Sequence, residues 1–286
     1  MTKTFLLGVG CQKGGTTWLH RYLTTSPQFV PGYRKEFHVF DSLHLPPEEE
    51  SRRRLLTQAA NHAANPRADN PRAAGAVHRL SMFLDPQFYF DYFTGLLHRS
   101  PEVRLVADVT PAYSMLPTEV LEQIREAFGQ RGITTLPVFV MRDPVERIWS
   151  HIRMQARVHP EHEAAQTDSA AYLLAHHAQP EYASRTAYDE TIRKLDSVFG
   201  PEQVFYSFYE RLFTDTEVRR LCDRAGIDFV DPSFDQRHNS SPSAAPLPDE
   251  TIRTVAEHYA GVYRAVAERF PDVSVPDLWP SSRFVL

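Results

Sequence analysis

Cysteine is nearly absent from this chain: Cys11 and Cys222 are the only two in 286 residues. That excludes a disulfide framework and a cysteine-rich zinc site. Long apolar runs are missing too, and no stretch approaches the roughly 20 apolar residues a membrane span needs. Residues 1–10 have neither the long hydrophobic region nor the small-residue cleavage site of a signal peptide. The sequence therefore reads as cytoplasmic, with a first strand that starts almost at once. Positive charge is not in excess, and a net charge of −5 argues against nucleic acid as a partner. Thirteen histidines invite a metal reading, but none stands in an HExxH arrangement. The pairs His159/His162 and His176/His177 lie in polar, loop-like sequence, so no metal is expected. Internal repeats are absent.

What is present suits one large α/β domain covering residues 1–286. Hydrophobic residues make up 42% and charged ones 23%, ordinary values for a folded globular chain. Four short runs rich in Val, Ile, Leu and Phe, at 4–8, 103–107, 136–141 and 204–208, predict buried parallel strands. Helical patterns at 17–24, 86–97, 117–128, 144–157 and 186–199 lie between them, and a last helix is predicted over 249–270. Strand alternating with helix predicts a P-loop-type three-layer α/β/α fold with a central, mainly parallel sheet. Two polar stretches, 45–75 and 159–184, interrupt the rhythm and read as surface or lid insertions.

The chemistry begins at the first strand. Gly8-Val9-Gly10-Cys11-Gln12-Lys13-Gly14-Gly15-Thr16-Thr17-Trp18 follows a strand and opens a helix. Glycines let successive N–H groups curl inward, and the helix start aims its positive end at the same spot. Lys13 adds a full charge; Thr16 and Thr17 add hydroxyls. Gly10 and Gly15 have the spacing of the nucleotide phosphate loop, yet Thr16 stands where that loop has lysine. The lysine lies three residues earlier, inside the turn, suited to one phosphate and the bond leaving it.

A second candidate follows the 136–141 strand. Asp143 fits an N-cap, Pro144 the first helical position, and Glu146 a capping-box-like pattern. Arg142 lies at the strand's C-terminal edge, where open α/β sheets bind ligands. Ser150, eight residues on, returns to roughly the same side of the helix. Arginine fork and hydroxyl fit a phosphate; taken alone they equally fit a surface ion pair and a filler.

A third candidate is Arg34-Lys35-Glu36-Phe37-His38-Val39-Phe40-Asp41. Phe37, Val39 and Phe40 can enter the core while Lys35, Glu36 and His38 face a cleft, although the charged edge of a half-buried strand has the same pattern. A carboxylate there can take a proton, and the lysines can offset charge growing on a leaving oxygen.

Together these segments resemble the PAPS-dependent sulfotransferases, PAPS being 3′-phosphoadenosine 5′-phosphosulfate. Gln12–Leu19 is similar to that family's 5′-phosphosulfate loop, in the Lys-x-Gly-Thr-Thr form of the heparan-sulfate-type and related bacterial enzymes rather than the cytosolic aryl and steroid ones. Arg142 and Ser150 resemble its 3′-phosphate motif. Residues 35–41 resemble Lys-Glu-x-His-Phe-Phe-Asp, with Val39 in place of one Phe. The resemblance implies PAPS as donor, no metal, and Lys13, Gly14, Gly15, Thr16, Thr17, Trp18, Arg142, Ser150 and Arg237 as donor-binding residues. It implies Glu36 as general base, with His38 its rival, and Lys35 and Lys13 as supporting cations. Two separate phosphate sites call for a donor with two separate phosphate groups, which PAPS has and ATP lacks. Residues 108–114 resemble the family's Lys-Ser/Thr-Pro-x-Tyr segment with Val109 in place of the lysine, leaving Asp108 and Thr110 as acceptor-side or turn residues. The implied acceptor is a small molecule, carbohydrate or lipid. A P-loop kinase or nucleotide hydrolase, and a non-catalytic nucleotide-binding protein, are the alternative readings.

Overall fold

Runs of branched and aromatic residues bury both faces only inside a covered parallel sheet. In the computed structural model, which describes residues 2–45, 49–64, 71–232, 234 and 246–286, the runs form β1 (Lys3–Gly10), β2 (Leu105–Val109), β3 (Ile133–Met141) and β4 (Phe205–Phe208). Every pairing is parallel, in the order β2-β1-β3-β4. The strand predicted over 103–107 begins two residues later. Leu105 pairs with Thr4, and Val103 is still in a turn, its N–H donating to Ser100 O at 3.2 Å.

The connections are helical: α1 (Thr16–Leu23), α2 (Phe40–His44), α3 (Glu49–Ala64), α4 (Pro71–Leu84), α5 (Gln87–Leu97), α6 (Thr118–Gly129), α7 (Pro144–Val158), α8 (Glu163–Gln166), α9 (Ser169–His176), α10 (Pro180–Ala183), α11 (Tyr188–Phe199), α12 (Asp215–Ala225), α13 (Asp249–His258), α14 (Ala260–Arg269) and α15 (Val275–Leu278). Side chains alternate across β1. Phe5, Leu7 and Val9 join the core under α5, α6, α7 and α11, whereas Leu6 joins the one under α1 and α12. The result is three layers, α/β/α. Phe5 stacks on Phe128 of α6 with ring centroids 4.0 Å apart, and burying one such side chain contributes about 1.5–3 kcal/mol.

Both insertions carry structure. Within 45–75, α3 packs against α4. The 159–184 stretch folds into α8, α9 and α10 and lies on α7, with Leu173 and Tyr182 fully buried. The helix predicted over 249–270 breaks at Tyr259. That residue leaves helical geometry (ψ 18°), and its hydroxyl donates to His177 O at 2.5 Å, tying the break to α9. Among the described residues no helix is long and apolar enough to cross a membrane.

The C-terminal ends of β1, β2 and β3 open on one edge of the sheet. This edge carries the turn after Gly10, then Thr110, then Arg142.

Candidate active site

The turn after β1 curls because Lys13 (φ 71°) and Gly15 (φ 86°) both adopt left-handed backbone, a conformation with little penalty for glycine and a real one for lysine. Gly14 is required by space. A Cβ there would lie 2.6 Å from Val140 O and 2.9 Å from Cys11 Sγ. The first N–H groups of α1 have no intrahelical acceptor, and its dipole favours an anion at that end. Thr16 is buried and Thr17 half-buried. Burial, then the charges of Arg157, Arg142, Arg153 and Lys35, hold Lys13 down at about 8. The fold has crowded cations around one ammonium.

Residues 35–39 form no strand; they cross the sheet edge as an irregular loop in which His38 has φ 53°. Phe37, Val39 and Phe40 are fully buried, and Lys35, Glu36 and His38 are half-buried. Lys35 Nζ donates to Glu36 Oε1 at 2.6 Å and to Thr16 Oγ1 at 3.2 Å. His38 lies between two carboxylates, Nε2 3.1 Å from Glu36 Oε2 and Nδ1 2.6 Å from Asp41 Oδ2. Burial alone would lower His38, but the bonds to Asp41 and Glu36 outweigh it and raise the imidazole to about 9. Burial alone would raise Glu36, but the bond to His38 and the charge of Lys35 hold it at about 2.

Asp143 caps α7, accepting from Val145 N at 2.9 Å, and also accepts from Tyr263 Oη at 2.9 Å and Ser281 N at 3.1 Å. The capping box expected from Glu146 does not form. Its carboxylate turns instead to Arg142, 3.3 Å from Nη2, because an opposite charge sits one turn back. Arg142 Nη1 donates to Lys13 O at 3.2 Å, and the guanidinium lies 4.4 Å over the Tyr209 ring. Ser150, two turns on, is buried within α7.

Of the residues singled out in the sequence, Thr16, Lys35, Glu36 and His38 are thus linked by direct contacts, and Arg142 bonds to the backbone of Lys13 in the same turn as Thr16. The Trp18 ring packs against Tyr22, Phe213 and Phe234. Asp108 and Thr110, read as possible acceptor-side groups, are fully buried and out of an acceptor's reach. Arg237 lies outside the described residues.

Four contributors were given no role in the sequence. Tyr209 reads as core in the sequence, yet it lies against both Arg142 and Gly15, where an added Cβ would come within 3.2 Å of its ring. Asp41 orients His38. Arg153 and Arg157 continue the line of Arg142, Glu146 and Trp149 along α7, with Arg153 stacked 4.1 Å over Trp149. Their spacing of three to four residues was the available signal.

Among the described residues no group of three or more His, Cys, Asp or Glu is placed to hold a metal ion. The arrangement suits an anion next to a carboxylate–imidazole pair.

A model of the sulfotransferase family matches residues 6–231. The fold is similar to that of a sulfotransferase from Alicyclobacillus acidocaldarius, with 18% identity, 94% of this chain and 96% of the other covered, and a TM-score of 0.55. A sulfotransferase domain of the Synechococcus PCC 7002 olefin synthase aligns over 90% of this chain and 94% of its own length, with 18% identity and a TM-score of 0.47. No protein of curated function matches the sequence. The family match covers more than half of the chain: this protein belongs to the sulfotransferase family.

Proposed function

We propose that this protein transfers a sulfuryl group from PAPS to a hydroxyl or amine of a small-molecule, carbohydrate or lipid acceptor, with Glu36 as general base. The observation that carries the reading is Lys35, whose ammonium is bonded at once to Glu36 and to Thr16 of the phosphate loop. One cation joins the candidate base to the place where a donor's phosphate would lie.

The residues fit a phosphosulfate. The loop presents N–H groups, two hydroxyls and Lys13, and the space beside Gly14 admits no side chain. Arg142 reaches the rear of that loop, supporting a second phosphate contact. PAPS, when bound, supplies an activated sulfuryl group on a phosphate leaving group. Lys13 and Lys35 offset the charge that grows on the bridging oxygen as the S–O bond breaks. Glu36 takes the proton the acceptor loses as its new O–S or N–S bond forms, and adenosine 3′,5′-bisphosphate leaves. A ligand phosphate at the loop competes with Glu36 for Lys35, which frees the carboxylate at the moment it is needed. His38, held protonated by two carboxylates, orients Glu36 and has no lone pair with which to accept a proton. Alignment and fixed charge do most of the work, as in phosphoryl transfer.

Calorimetry tests the reading. Adenosine 3′,5′-bisphosphate is expected to bind without magnesium, and ATP with magnesium to bind poorly. The opposite preference would sink the proposal in favour of a nucleotide-triphosphate enzyme. Labelled PAPS offered with a panel of acceptors then identifies the recipient.

A further inference from the structure

Residues 35–39 have no ladder or helix of their own, so something else must fix the backbone that carries Lys35, Glu36 and His38. The fixing point lies on β2. The carboxylate of Asp108 is fully buried, and no cation lies within ion-pair distance among the described residues. It is satisfied by four donors. Oδ1 accepts from Thr110 Oγ1 at 2.6 Å and from Phe37 N at 3.2 Å. Oδ2 accepts from Tyr89 Oη and Tyr113 Oη, both at 2.9 Å. Two of these donors pass the hold on to the loop. Thr110 Oγ1 also accepts from Phe37 N at 3.1 Å, and Tyr113 Oη accepts from Val39 N at 3.2 Å. The neighbouring Val109 N donates to Lys35 O at 2.9 Å. Burial pushes the Asp108 carboxyl up from its ordinary value, and the bonds from Thr110, Phe37, Tyr89 and Tyr113 work against that rise by favouring the ionised form.

We propose that Asp108 is the positioning residue of the candidate base: its buried carboxylate holds Thr110 and Tyr113, which hold the 37–39 backbone and so aim Glu36 and His38 at the phosphate loop. The inference rests on the proposed role of Glu36 for its catalytic consequence, but not for the hold itself. A buried charge without a cation is costly unless fully bonded, and here the bonds converge on the one loop that carries the site. Asp108 touches neither donor nor acceptor and acts through the backbone of its neighbours.

Tyr89 and Tyr113 give the test its control. Both hydroxyls reach the same oxygen at the same distance, but only Tyr113 also holds Val39. Tyr89→Phe and Tyr113→Phe should therefore lower the unfolding temperature alike. Tyr113→Phe alone should cut kcat, by about tenfold, and Asp108→Asn by about a hundredfold, the scale of a 1 Å misplacement. Affinity for adenosine 3′,5′-bisphosphate should stay unchanged in all three. Amide hydrogen exchange at residues 37–39 should quicken in Tyr113→Phe and Asp108→Asn and stay slow in Tyr89→Phe. Equal loss of kcat in the two tyrosine variants, or unchanged exchange at 37–39 in Tyr113→Phe, would overturn the inference. If the wild type transfers no sulfuryl group, the functional reading fails, while the exchange result still decides the positioning role.

Discussion

Glu36 and His38 meet at 3.1 Å, and the contact sets the charge of both. With Asp41 on its other nitrogen the imidazole is held positive to about 9, and the carboxylate is held negative down to about 2. At neutral pH the pair is an imidazolium beside a carboxylate. In the proposed reaction that favours Glu36 as the proton acceptor, with His38 orienting it.

Replacing the carboxylate separates binding from turnover. Glu36→Gln keeps the shape of the side chain and should leave bisphosphate affinity intact while kcat falls by roughly 10²–10⁴-fold, the range of general-base contributions. Single-turnover transfer from labelled PAPS measures it. Retained turnover would move the base role to His38.

The same pair fixes a stability window. His38 is raised in the folded state, so its contribution is complete below its ordinary 6.5 and is lost as pH climbs through about 9. Glu36 is depressed, so its contribution is present above its ordinary 4.5 and is lost as pH falls toward about 2. Unfolding temperature should therefore decline from near-neutral pH into the alkaline range. His38→Gln should flatten that decline; an unaltered slope would show that the loss comes from other groups.

Lys13 should bind a proton when an anion arrives. Burial and four neighbouring cations hold it at about 8 in the free protein, and a phosphate beside it offsets both. Above pH 8, bisphosphate binding should be accompanied by proton uptake, visible as a dependence of the binding heat on buffer ionisation. Lys13→Ala should abolish the uptake along with turnover.

Arg142→Ala should mainly weaken donor binding. A hydrogen bond to a charged group contributes about 1.5–3 kcal/mol, or roughly 10–100-fold in Kd. The salt dependence of bisphosphate affinity should shrink at the same time. Normal binding by the variant would place the second phosphate elsewhere, and the first position to examine would be Arg153, one turn beyond Ser150 on α7.

Local features were legible because their causes are local. Apolar runs of four to six residues announced β1, β3 and β4, and Gly-Gly-Thr-Thr after a strand announced the turn into α1. Asp143-Pro144 announced the start of α7. The KEFH segment divided inward and outward as its polarity pattern implied, with Phe37 and Val39 buried and Glu36 and His38 at the edge. Its backbone could not be read, because a loop held by side chains of Asp108 on β2 and of Thr110 and Tyr113 just after it has no periodicity of its own. Glu146 misled for a related reason. The capping-box pattern is a local preference, and Arg142 offered a stronger partner only once β3 had placed it.

The sequence by itself determined the strand–helix alternation, the anion-binding turn and the residue types available for transfer, since these depend on neighbours a few positions apart. Only the tertiary structure decided that Lys35 joins Glu36 to Thr16, that Tyr209 lies under Arg142, and that Asp108 serves the loop rather than an acceptor. Those contacts depend on β1 lying between β2 and β3. Strand order is set by burial over the whole sheet, and no single stretch of residues carries it.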